Sequence, residues 1–302
     1  MKKIEFVENK QIKGWPYANS EYFTFGDYKL HYRIDRPKGK EKGKLFMIHG
    51  FGCDTTFFNE MVEEYLKKGM RCVRVDLPDF GYSTREIKGI NYVPRVEMLE
   101  ALMAELDKIE NDSEKWIIVG HSMGGSVTLE LADRNRDAYK ALLLYAPLFM
   151  SDIPKPVGKL FMAKWMGAMM DTALKYVMPY DTLVRIVLLA ATMSPRYMAK
   201  YDCSLAANPL KLKDTGKGLC YMSAKASHPA YEDMDKINAP VLLVWGGLDF
   251  FVPKSKVNKL SNSLPQGTDI HSIWYAGHCV VQNCAKKCTK FGIDFLKANN
   301  LY

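Results

Sequence analysis

The sequence predicts an α/β protein whose mostly parallel sheet is covered by helices on both faces and interrupted by a long helical segment. Three observations carry that class. Short runs rich in β-formers, among them "KLFMIHG" (44–50), "RCVRVDLP" (71–78), "WIIVG" (116–120) and "ALLLYAP" (141–147), alternate with helical stretches. These runs are nearly continuous in hydrophobicity, as strands buried on both faces require. From about Leu148 to Asp235 the alternation stops and only helical segments punctuated by prolines remain, after which strand and helix resume.

Residues 22–35 read as two short strands joined at Gly26–Asp27, a common hairpin turn pair. "FFNEMVEEYLKKG" (57–69) is helical and separates the first two core strands. Helices over 94–110 and from 123 to about 135 flank "WIIVG". Within the interruption, 158–178 reads as a helix, "DTLVRIVLLAATM" follows with Asp181 as its cap, and "SPRYMAKY" begins with Ser194 before Pro195. The closing part contains "PVLLVWGGLD" (240–249), a helix near 255–264, "DIHSIWYAGH" (269–278) and a last helix to about 297. Residues 1–148 and 236–302 therefore form one core domain, with 149–235 inserted as a helical unit.

The formal net charge of +8 is moderate, and lysines and acids alternate along most of the chain. The densest basic stretch, "RPKGKEKGK" (36–44), reads as a solvated turn; the alternative is a nucleic-acid or lipid-headgroup patch. No nucleic-acid partner is expected. The start lacks the apolar stretch of a secretory signal, and the apolar run from Ile186 is too short to span a bilayer. No transmembrane segment is expected, which leaves room for transient contact with a membrane surface. The seven cysteines contain no CxxC pair. Cys279, Cys284 and Cys288 cluster beside His278, but their spacing fits no familiar zinc pattern. Neither metal nor cofactor is expected, and reduced thiols point to the cytoplasm. Nothing fixes an oligomeric state.

Gly120-His121-Ser122-Met123-Gly124 matches the G-x-S-x-G elbow, with a strand before and a helix after. A plain strand–helix connection is the conservative reading. As an elbow, the turn is sharp enough to strain the serine, the glycines clear space around it, and the helix amino end favours negative charge. A serine needs a base, and in a parallel sheet reactive groups gather at the carboxyl ends of strands. His278 follows the last strand and meets that condition. His271 starts the same strand, His31 lies in the hairpin, His228 lies near the end of the insertion, and His49 reads as a structural hydrogen-bonding residue. Asp249, one strand–helix–strand unit before His278, is the orienting acid; Asp152, after "ALLLYAP", is the alternative. In "MIHGFGCD" the Phe51 N–H can pair with the Met123 N–H as an oxyanion hole. Cys53 and Cys279 read as wall residues that would make the site thiol-sensitive.

The order Ser122, Asp249, His278, with "HGFG" (49–52), "DLPDFGYST" (76–84), "GHSMGG" (120–125), "GGLDFFVP" (246–253) and "GH" (277–278), resembles the α/β-hydrolase superfamily over nearly the whole chain. The resemblance implies an eight-stranded, mostly parallel sheet with residues 149–235 lying over the active site as a cap. It is strongest to the serine esterase and monoacylglycerol-lipase-like branches. Relatives with an aspartate nucleophile are disfavoured by Ser122. Asp79–Phe80 departs from the Gly-rich turn usual in the second segment, which would reshape one side of the pocket.

Ten of the seventeen methionines fall in the insertion. Met162, Met166, Met169, Met170, Ala173 and Val177 follow helical spacing and read either as core or as an adaptable pocket lining. Candidate substrate contacts are His121, Met162, Trp165, Met166 and Met169. The expected function is a serine hydrolase cleaving small-molecule carboxylic esters with an apolar acyl or aromatic group, through an acyl-enzyme. The alternatives are a C–C bond hydrolase acting on a diketone-like substrate and a non-catalytic ligand-binding homologue.

Overall fold

β1 (Ser20–Phe25) and β2 (Tyr28–Asp35) pair antiparallel around Gly26–Asp27, as the hairpin signal indicated. The computed structural model describes residues 16–85, 94–148, 159–160, 163–177, 180–225 and 233–302. β2 joins β4 (Met70–Val75) antiparallel, and from there the ladder is parallel through β3 (Gly43–Ile48), β5 (Ile117–His121), β6 (Ala141–Tyr145), β7 (Val241–Gly246) and β8 (Asp269–Ile273). The order is β1-β2-β4-β3-β5-β6-β7-β8, an eight-stranded sheet. Strand order reverses between β3 and β5, and their carboxyl ends open the crevice where ligands bind in such sheets.

Successive side chains of a strand face opposite ways, so a run apolar at every position fills two cores. In β3, Phe46 and Ile48 join one core while Leu45 and Met47 join the other; Leu142 and Leu144 of β6 oppose Ala141, Leu143 and Tyr145 in the same manner. The first core is closed by α2 (Arg95–Glu110), α3 (Met123–Arg134) and α9 (Lys254–Ser261), and the second by α1 (Asn59–Leu66), α10 (Val280–Asn283) and α11 (Ala285–Ala298). The expected closing helix is thus two helices, broken at Cys284.

Between β6 and β7 the described residues form α4 (Lys164–Val177), α5 (Asp181–Thr192), α6 (Pro195–Met198), α7 (Cys203–Leu210) and α8 (Thr215–Lys225). Val184, Met198, Tyr201, Cys203 and Ala207 give them a small core of their own. Asp181 is the first helical residue of α5, not its cap, where its charge still complements the helix amino end. Ser194 precedes Pro195 at the start of α6, as expected. These helices fasten to α1 and to the loops that leave β4 and β8. Tyr197 Oη donates to Glu60 Oε1 at 2.6 Å. The buried Arg85 guanidinium donates to Phe80, Gly81 and Ser83 carbonyls on one side, and to Pro209 O and Thr215 Oγ1 on the other.

Candidate active site

β5 ends at His121 and α3 begins at Met123, leaving Ser122 alone in the bend at φ 52°, ψ −118°. That is a left-handed conformation costly for a residue with a Cβ. The flanking glycines are dictated by space. A Cβ on Gly120 would collide with Thr128 Oγ1 and the Gly124 carbonyl, and one on Gly124 would strike the Ile48 and His49 carbonyls. Ser122 is 8% exposed.

His278 lies beyond β8, with Nε2 2.9 Å from Ser122 Oγ and Nδ1 2.8 Å from Asp249 Oδ2. The Asp249 carboxylate is buried and also accepts the Phe251 and Val252 N–H groups at 2.9 Å on Oδ1. A carboxylate only accepts, so Nδ1 of His278 carries the proton and Nε2 is left to accept from the serine hydroxyl. The three residues come from turns after β5, β7 and β8, brought to one edge by parallel pairing.

The turn after β3 approaches from the other side. A Cβ on Gly50 would lie 2.8 Å from His121 Nδ1 and 3.0 Å from Ser122 Cβ, so the residue before Phe51 packs closely against the elbow. Among the described residues neither the Phe51 nor the Met123 N–H has a hydrogen-bond partner. Met123 lies in the first turn of α3, where amides have no carbonyl four residues back. His49 holds this turn: Nδ1–H donates to the Gly50 carbonyl at 2.7 Å and Nε2 accepts the Leu77 N–H at 3.0 Å. Burial pushes its pKa down, which keeps it neutral in this structural role.

His121, a candidate substrate contact, is placed in the interior. Its ring is 1% exposed, lies between Phe57 and His278, and donates from Nε2 to the His278 carbonyl at 3.0 Å. Burial and the neighbouring His278 drive its pKa well below the ordinary value. His271 stacks on Phe291 and pairs with Asp269, and His31 is buried against Asp76 and Ser20. His228, Asp152 and Met162 lie outside the described residues. Trp165 and Met169 on α4 are 57% and 51% exposed, whereas Met166 is buried at 7%. The apolar residues beside His278 are Phe251, 5.2 Å away ring to ring, and Met193, whose side chain lies against Gly277.

Cys53 and Cys279 do border the site, but burial raises both thiols, that of Cys279 to about 12. Burial of this kind lowers the thiolate fraction at neutral pH. Among the described residues no group of three or more His, Cys, Asp or Glu side chains could hold a metal ion, the Cys279–Cys288 cluster included. Asp79, the departure in the second segment, is buried at φ 75° and packs against Gly218 of α8. Sequence reasoning passed over Asp76, which accepts the Thr55 and Tyr82 N–H groups and His31 Nδ1–H, tying the turn after β3 to the loop after β4.

An eight-stranded, mostly parallel sheet with a strained serine at the β5–α3 elbow defines an α/β hydrolase. Residues 39–282 match the family of serine aminopeptidases, S33, and the chain belongs to that family. It is 24% identical to monoacylglycerol lipase abhd6-B of Xenopus laevis over 287 residues, covering 92% of this chain and 82% of that one. It is 28% identical to the 2-hydroxy-6-oxononadienedioate/2-hydroxy-6-oxononatrienedioate hydrolase of Cupriavidus pinatubonensis over 300 residues, covering 92% and 96%. The fold is shared with a thermophilic esterase from Thermogutta terrifontis, at TM-score 0.70 and 18% identity, covering 93% of this chain and 99% of that one. Among the described residues no helix is long and apolar enough to cross a membrane.

Proposed function

We propose that this hydrolase cleaves carboxylic esters bearing an apolar acyl or aromatic group, through an acyl-enzyme on Ser122. One observation carries the reading: the continuous hydrogen-bonded line from Ser122 Oγ through His278 to the buried Asp249 carboxylate. In this reading His278 Nε2 takes the hydroxyl proton as Oγ attacks the ester carbonyl, and the Phe51 and Met123 N–H groups receive the oxyanion. Collapse expels the alcohol, which leaves with the proton from His278. Water then gives a proton to His278 and attacks the acyl carbon, and the acid departs as Ser122 regains its hydrogen. Asp249 holds the imidazole tautomer and stabilises the imidazolium formed in each half.

Residues 149–235 act as a cap on a core of 1–148 and 236–302, a division supported by their fastening to Glu60, Arg85 and the His278 loop. Trp165, Met169 and the buried Met166 would be its contribution to the acyl pocket. Seven free thiols are consistent with a reducing, cytoplasmic setting. The relative from Cupriavidus supports a second reading, cleavage of a C–C bond. The aromatic and aliphatic groups beside His278 suit an apolar acyl chain better than the two carboxylates in that relative's substrate name. A panel of p-nitrophenyl esters set against a vinylogous diketone decides between them. We expect catalytic efficiency on the esters to climb from acetate to at least butyrate or hexanoate, approaching fourfold per carbon if each methylene contributes about 0.8 kcal/mol. A series that peaks at acetate, or turnover of the diketone alone, contradicts the proposal.

A further inference from the structure

His278 lies in a loop, yet its ring must hold to within about 0.5 Å of a productive position. The bonds to Asp249 and Ser122 fix the ring; what fixes the peptide that carries it is a separate matter. On the core side the His278 carbonyl accepts from His121 Nε2–H. On the other side stands the carboxyl end of α5. Carbonyls in a helix's last turn have no partner within the helix, and two of those in α5 are taken by amides on either side of His278. Cys279 N–H donates to Ala191 O at 3.2 Å and Gly277 N–H to Thr192 O at 3.3 Å. Asn283 Nδ2 gives Thr192 O a second donor at 3.0 Å. Thr192 is buried, with its hydroxyl turned back to the Leu188 carbonyl at 2.9 Å. The fit leaves no slack, since a Cβ on Gly277 would lie 2.5 Å from Ala191 O and 2.9 Å from Met193 Cγ.

We infer that the carboxyl end of α5 fixes the position of His278, with Asn283 as the positioning residue that anchors the Thr192 carbonyl. The inference rests on the proposed role of His278 as base. It deepens that role, because the partial negative charge at a helix carboxyl end favours the imidazolium formed in each half-reaction. It also makes a helix of the inserted segment part of the support for the catalytic machinery.

The test is Asn283→Leu, nearly isosteric and unable to donate. Among the described residues Asn283 Oδ1 is buried without a partner, so the substitution also removes an orphan acceptor and the fold should tolerate it. The expected result is a fall of about tenfold in kcat on a soluble ester, with KM within about twofold and Tm nearly unchanged. Labelling by a small fluorophosphonate, which needs an activated serine but little of the acyl pocket, should slow in parallel. A lowered Tm with kcat intact makes Asn283 merely structural and overturns the inference, as does a change confined to KM. Should the leucine variant not fold, Asn283→Ser, whose hydroxyl is too short to reach Thr192 O, is read in the same way. Gly277→Ala, which wedges the loop from α5, should lose more, about a hundredfold. His278→Ala on the same ester separates the two claims. If it is inactive while the Asn283 variants match wild type, only the inference fails; if it retains activity, the role of His278 fails and takes the inference with it.

Discussion

Burial pushes the Asp54 carboxyl up to about 7, with the nearby Asp76 carboxylate adding to the effect. Asp54 caps the 3-10 turn at Thr55–Phe58, its Oδ1 accepting the Thr56 N–H at 2.7 Å. An unfolded aspartate titrates near 3.9, so between these values the native chain binds the additional proton. Asp54 therefore contributes stability that is fully present below the unfolded value and lost as pH rises through about 7. Asp76 is the opposite case. The His31 partner and backbone donors hold it below the usual carboxylate range despite burial, and its contribution is lost only in acid. Asp54→Asn keeps an oxygen for the Thr56 N–H and cannot ionise. Its Tm should fall less than that of wild type between pH 5 and pH 8, measured by calorimetry. Equal slopes would show that Asp54 is not carrying a proton. At this scale the convergence of Ser122, Asp249 and His278 was legible because each lies in a turn that leaves the carboxyl end of a parallel strand. His121 and Asn283 were not, since their partners are backbone carbonyls 157 and 91 residues away.

The elements were legible wherever hydrophobic pattern and turn chemistry agreed, as in the β1–β2 hairpin and the strand–helix pairs around β5. The inserted segment was harder, because the periodicity of α4 marks a face without saying what covers it. Met166 is buried while Met169 three residues on is half exposed, so one methionine stripe serves two environments. Met166→Ala should cost about 2–5 kcal/mol of stability. Met169→Ala should leave Tm nearly unchanged and, if α4 roofs the pocket, flatten the dependence of rate on acyl length. Unaltered chain preference in Met169→Ala would remove that residue from the pocket. The fastening of these helices was invisible for another reason: Arg85 works through backbone carbonyls, which carry no sequence signature. Arg85→Met should strand several buried carbonyls and cost on the order of 3 kcal/mol, a fall in Tm of about 6–12 °C. A change in Tm of a degree or less would mean that the Arg85 bonds contribute little.

At the scale of the whole molecule, parallel pairing explains why a linear reading reached the candidate site. A parallel sheet sends every strand's carboxyl end to one edge, so residues far apart in sequence share an address. The proposed serine, acid and base are the chemically able residues that follow strands at that edge. The helices between β6 and β7 follow no strand end, so the same reasoning reaches the site and stops there. The central claim is that Ser122 is a nucleophile activated by His278 and oriented through Asp249. Its most direct test is treatment of the folded protein with a fluorophosphonate, followed by peptide mapping. The expected result is a single phosphonyl group on Ser122, absent in Ser122→Ala and formed far more slowly in Asp249→Asn, whose side chain favours the wrong imidazole tautomer. An unmodified Ser122, or labelling of Cys53, Cys279 or another serine in its place, would contradict the account.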